Sequence, residues 1–195
     1  MLLATAVNIE DIKKIYSEFP NIIKGFGELK CYSSYQDKQV PYKKISFVKQ
    51  VCKFSNNCGN LPVYLHWEIE NEKDIKILKK LLTQYPTVPI VLCHCGMNEF
   101  NKDYAYIQSN YLANQFENLW LDISYVALDY FYENQLKINT LPKHKIIFGT
   151  DVNNKLLGPG HDFPQEYDDK IFKMIKMMKY ANSNNNLKRL FKGTL

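Results

Sequence analysis

The sequence predicts an α/β fold with one parallel sheet, a TIM-barrel-like (β/α)8 arrangement that is incomplete and holds six strands. Three observations predict it. Short apolar runs alternate with amphipathic stretches of helical length, the pattern of βαβ units. No Gly-rich turn directly follows an early strand, as a dinucleotide-binding doubly wound sheet would want; GFGELK carries its glycines before the strand end. Polar residues able to do chemistry stand at the C-terminal ends of successive apolar runs, and in a parallel barrel those ends share one rim. A doubly wound sheet is the alternative architecture.

LLATAVN reads as the first strand, ending near Asn8. Asn8 then caps a helix with Ile12, Ile15 and Phe19 at helical spacing. NIIKGFGELK alternates as a half-buried second strand, followed by a helix over 42–54. PVYLHW is the third strand, and Asn71 caps the next helix, with Ile75, Leu78 and Leu82 on one face. VPIVLCHC is the fourth strand and 102–116 its helix; NLWLDIS is the fifth, with a helix over 126–136. KIIFGTD is the sixth. The loop VNNKLLGPGHDFPQE that follows is longer than a routine connection. The helix IFKMIKMMKY, its methionines at core spacing, and a short helical tail, NLKRLFKG, close the chain. Nothing resembles a linker, so residues 1–195 form one domain.

Composition narrows the function classes. Hydrophobic residues at 46% and charged residues at 23% belong to a soluble globular protein, and no run is long enough for a membrane span. MLLATAV lacks the basic flank of a signal peptide, so the expected location is cytoplasmic. The net charge of +5 comes from scattered lysines, and Arg189 is the only arginine. Nucleic-acid readers lean on clustered arginine, which argues against that class of partner. The five cysteines are an odd number without a secretion signal, so no disulfide framework is expected. Cys52 and Cys58 have no second pair to complete a zinc ribbon.

The strand ends carry, in order, Glu28, His66, His94, Asp122 with Ser124, and Asp151. Two imidazoles and several carboxylates converging on one rim form a metal-ligand set suited to zinc, iron or manganese. In a strand of period two, His94 faces one way and Cys93 and Cys95 the other, so the three do not share one ion. The cysteines then pack as small hydrophobes against helices, and His94 points into the barrel mouth.

The pieces GFGELK, LPVYLHWE, VPIVLCHCGM, NLWLDIS, KIIFGTD and NNNLKRLF, in that order, resemble the amidohydrolase-related metal-dependent hydrolases, which have a TIM-barrel fold. The resemblance covers nearly the whole chain. It implies that His66 binds the metal, that His94 binds a second metal or orients the water, and that Asp151 touches the metal and accepts the proton of the attacking water. Glu28 falls where some members place a bridging carboxylate. The implied cofactor is a divalent metal, zinc first, with manganese or iron as alternatives. The implied chemistry is Lewis-acid activation of water against a small-molecule amide, ester or lactone, or a related decarboxylation. The family's first strand carries a His-x-His pair, and this chain has none. LLATAVN then corresponds to the third barrel strand, with the first two missing. A homo-oligomer or a complementing N-terminal segment would cover the open edges.

Structural explanations compete at each position. Lys30, on the same face as Glu28, is a rival ion-pair partner for it, and a helix N-cap is the rival role for Asp151. Asp122 or Ser124 lines the pocket, and Ser124 is taken as a substrate contact. His161, in GPGHDFPQ, is another, since loops after barrel strands recognise substrates. His144 precedes its strand and belongs to the opposite rim. Two other readings are a non-catalytic truncated homologue that binds or scaffolds, and a TatD-like deoxyribonuclease. The latter's acidic strand continues as Gly-Leu-Asp, where this chain has LKC.

Overall fold

The computed structural model describes residues 2–5, 8–31, 41–149, 163–180 and 183–191. Six parallel strands form one sheet in the order β1 (Leu2–Ala4), β2 (Ile23–Lys30), β3 (Val63–His66), β4 (Ile90–Leu92), β5 (Leu119–Ile123) and β6 (Ile146–Phe148). The order is sequential and every pair is parallel. A doubly wound sheet reverses its strand order at a switch point. This sheet never does, and it is an incomplete TIM-type barrel.

Between the strands run α1 (Ile9–Glu18), α2 (Pro41–Asn57), α3 (Glu72–Gln84), α4 (Lys102–Gln115), α5 (Tyr125–Glu133) and the single turn α6 (Gln135–Ile138). α7 (Phe163–Met178) and α8 (Ser183–Leu190) follow β6. The Asn8 side chain accepts from the Asp11 amide, and Asn71 forms a capping box with Asp74, so both predicted caps hold. The helix expected over 126–136 is instead two, broken at Asn134, whose side chain donates back to the Tyr130 carbonyl. No helix among the described residues is long and apolar enough to cross a membrane.

The pleat sorts side chains into two layers. Val63, Leu65, Ile90, Leu92, Leu119, Leu121 and Ile146 bury against Leu78, Leu82, Leu112 and Phe131 of the helices, forming the main core. Each such leucine contributes about 2 kcal/mol by leaving water. On the opposite face Tyr64, Val91, Trp120 and Ile147 form a second layer, covered by Leu190 at the end of α8 and by Phe191 just after it. The Asn186 amide fixes that helix by donating to the carbonyls of Lys143 and Ile146, each at 2.7 Å. The residues that continue this second face towards the C-terminal strand ends build the site.

Candidate metal centre

His66 lies two residues beyond Tyr64 on β3, and Asp122 two beyond Trp120 on β5, so simple alternation brings both to the second face. Glu28 and His94 reach it by interruptions of the pleat. On β2, Phe26 pairs with Val63 and Leu29 with Leu65, three residues against two, which is a β-bulge. Strict alternation from the buried Phe26 would put Glu28 among the helices. The bulge leaves Phe26 and Leu29 in the main core and turns Glu28 to the rim. Gly27 makes this geometry accessible: its φ is +124°, and a Cβ there would lie 2.5 Å from the Tyr64 carbonyl oxygen.

The expected strand through VPIVLCHC stops at Leu92, and Cys93–Gly96 form a tight 3-10 turn. His94 and Cys95 are both left-handed, with φ of 53° and 54°, and Gly96 follows at 73°. The turn corrects the expectation that both cysteines face away from His94. Cys93 packs in the second layer with Tyr64 and Trp120, whereas Cys95 is in the main core. A continued strand would have sent His94 towards the helices; the reversal delivers it to the rim instead. Two consecutive non-glycine residues in this region are costly, by about 1–2 kcal/mol each. The surroundings hold them there. The Ile69 amide donates to the Gly96 carbonyl at 2.8 Å, the Met97 amide to that of His94 at 2.9 Å, and a Cβ on Gly96 would meet Ile69 at 2.8 Å.

Glu28, His66 and His94 offer ligand atoms that all lie within 4.8 Å of one another. Glu28 pairs with His66 Nδ1, and its Oε1 is 3.7 Å from His94 Nε2. Lys30, its rival partner, is exposed. The two imidazoles meet edge to face at 4.9 Å between centroids. Burial pushes the Glu28 carboxyl up, but hydrogen bonds and charge from His66 and His94 outweigh it and hold the group well below the usual carboxylate range. Burial likewise works against a charged His66, yet Glu28 and Glu68 raise it to about 9.

His94 is 3% exposed, and its orientation is determined from behind. Its Nδ1 lies 3.1 Å from Ser124 Oγ, and the Ser124 hydroxyl donates to Asp122. A hydroxyl has one proton, so Ser124 must accept from Nδ1–H. In a neutral ring the lone pair is then on Nε2, facing the Glu28 carboxylate. Two acceptors facing each other need a proton or a cation between them. On this ground a carboxylate and two imidazoles suit a divalent cation.

Ser124, expected to touch substrate, is buried and bonded to His94 and Asp122. Asp151 and His161 lie outside the described residues. His144 sits in the turn before β6, and its carbonyl accepts from Arg189, which agrees with a place at the opposite rim. Sequence reasoning missed Glu68, whose carboxylate is 3.8 Å from His66 Nε2 and accepts from the Asn98 amide at 2.7 Å. Its signal was available, since Glu68 follows His66 at the spacing of one strand face.

A family model described as amidohydrolase matches residues 59–193. No curated protein matches the chain. Among solved structures, a dihydroorotase from Campylobacter jejuni superimposes with a TM-score of 0.58 at 15% identity, covering 98% of this chain and 64% of that one. An uncharacterised TIM-barrel protein from Bordetella bronchiseptica gives a TM-score of 0.51 at 13% identity, covering 98% and 66%. The chain thus spans less than two thirds of the dihydroorotase, and at these identities the likeness concerns the fold.

Proposed function

Because the chain belongs to the amidohydrolase family, we propose that it is a metal-dependent hydrolase acting on a small amide, ester or lactone, or on a carboxylate in a related decarboxylation. The observation that carries this reading is the convergence of Glu28, His66 and His94, with His94 Nε2 aimed at the Glu28 carboxylate. A divalent cation held by these three, zinc first and manganese or iron next, would supply Lewis-acid activation of water and of the substrate carbonyl. Glu68 and the Ser124–Asp122 pair orient the two imidazoles from behind. Asp151, which follows β6 in sequence, accepts the proton of the attacking water, and His161 contacts substrate. The site works in the cytoplasm, a setting that suits five cysteines held as thiols rather than disulfides. A second copy of the chain or a complementing N-terminal segment covers the edges of the sheet at β1 and β6.

Metal content of the protein purified without chelators tests the reading. About one equivalent of zinc or manganese is expected by the one-site chemistry, lost in His66→Ala. A metal-free wild-type protein that also takes up none on titration rejects it. With metal bound, a panel of small amides, esters and lactones should identify a substrate whose turnover Asp151→Asn abolishes.

A second reading, a homologue that binds without catalysis, is supported by the pairing of Glu28 with His66, which balances both charges without a cation. Turnover of any substrate in that panel would exclude it.

A further inference from the structure

Of the four non-glycine residues with positive φ among the described residues, three surround one imidazole: His94, Cys95 and Tyr125. The fourth, Asn60, is a residue type that tolerates this region. Tyr125 is the unexpected one. It is the first residue of α5, where any helix former would serve, yet it holds φ at +47°. Glycine would adopt that angle without penalty. An aromatic residue kept in a disfavoured conformation next to a candidate site points to a use for its side chain.

The contacts show what that use is. The Tyr125 ring meets the His94 ring at 5.6 Å and 66°, edge to face, and His66 meets it elsewhere at 4.9 Å and 78°. Nδ1 is bonded to Ser124, and the two rings flank the imidazole. Relative to ordinary helical backbone, the φ of Tyr125 is rotated by about 110°, and that rotation sets the direction in which its Cβ leaves the chain. Tyr125 is itself braced by α7. The Lys170 amine donates to the Tyr125 carbonyl at 3.4 Å and lies 5.9 Å from its ring centroid, while pairing with Asp129 one turn along α5. Lys173 holds the same Asp129 at 3.0 Å.

We propose that Tyr125 is a positioning residue whose ring, set by its left-handed backbone and braced by Lys170, fixes the His94 imidazole with Nε2 directed at Glu28. The inference rests on the reading of Glu28, His66 and His94 as a ligand set. Its test therefore has one readout that needs no metal.

The test compares Tyr125→Gly, Tyr125→Phe and Tyr125→Leu in the full chain. The metal-free readout is the 15N spectrum of the His94 imidazole, which reports tautomer and exchange. The wild type should show one Nδ1–H form. Tyr125→Gly should relieve the backbone strain and yet broaden or mix the His94 signals. It should also weaken zinc binding roughly ten-fold or more, the usual effect of losing an orienting group behind a ligand. Tyr125→Phe keeps the ring and should match the wild type in both. Tyr125→Leu, which keeps bulk without the ring, should disturb the His94 spectrum and decides the matter if the glycine variant does not fold. A wild-type His94 spectrum in the glycine and leucine variants overturns the proposal. If the wild type takes up no zinc at all, the ligand reading fails, and the imidazole spectrum still decides the role of Tyr125.

Discussion

Ser124 stands between His94 and Asp122, receiving the imidazole proton at 3.1 Å and giving its own to the carboxylate. Through this relay the Asp122 carboxylate decides which of the His94 nitrogens bears the lone pair. Ser124→Ala leaves a buried N–H and a carboxylate each short of a partner, so a loss of about 1–3 kcal/mol is expected. Metal affinity should fall by roughly 10–100-fold, as for other groups that orient a ligating histidine. Chemical denaturation and zinc titration measure the two effects. Unchanged affinity in Ser124→Ala would mean the relay has no part in binding.

The pairing of Glu28 with His66 makes the cation-free protein sensitive to pH. His66 is raised from 6.5 to about 9, so its contribution is full below 6.5 and fades as pH climbs through about 9. Glu28 is lowered from 4.5, so its contribution is present above 4.5 and fades as pH falls below it. The thermal midpoint should therefore decline on either side of this window, and the alkaline decline should shrink in Glu28→Gln, where Glu68 alone remains to raise His66.

A ligating imidazole must give up its proton, so zinc uptake at pH 7 should release the proton that His66 holds. Calorimetry in two buffers of different ionisation enthalpy measures the release, which should disappear above the raised pKa of about 9. A binding heat independent of buffer at pH 7 would show that His66 is not displaced.

Gly27 has no substitute at the bulge. Alanine there combines an unfavourable φ of +124° with a methyl 2.5 Å from the Tyr64 carbonyl oxygen. A destabilisation of about 3 kcal/mol or more is expected. Gly59→Ala, where a Cβ meets nothing within 4 Å, should cost less and separates backbone strain from crowding.

Asp129 ties α5 to α7 through Lys170 and Lys173, and those contacts depress its carboxyl in spite of burial. The side chain is 33% exposed, so Asp129→Asn should cost no more than about 1 kcal/mol at neutral pH. A depressed carboxyl stabilises above its ordinary value of 3.8 and loses that effect as pH falls. Urea unfolding of wild type and variant should accordingly converge in acid.

Much of this architecture is legible in the chain because it follows from periodicity. The two asparagine caps, the buried stripe Ile75, Leu78 and Leu82, and the six apolar runs are local signals, and each element they predict is present. The break of the fifth helix at Asn134 was not legible, because it depends on a side chain choosing a carbonyl over solvent. Glu68 was legible in principle, being on the same face as His66, but its value as an orienting group appears only once Asn98 and His66 are beside it.

The sequence by itself determined a parallel sheet with His66, Asp122 and Ser124 on one face near its C-terminal end, because residues two apart in a strand share a face. It also supplied Glu28 and His94 at the ends of their runs. Only the tertiary structure decided that these two join the others. The pleat alone would have sent both to the helices, and a bulge at Gly27 and a left-handed turn at His94 reverse them. Such interruptions leave no periodic trace. They persist because the surrounding backbone hydrogen bonds and close packing over-determine a conformation that the local sequence would not choose.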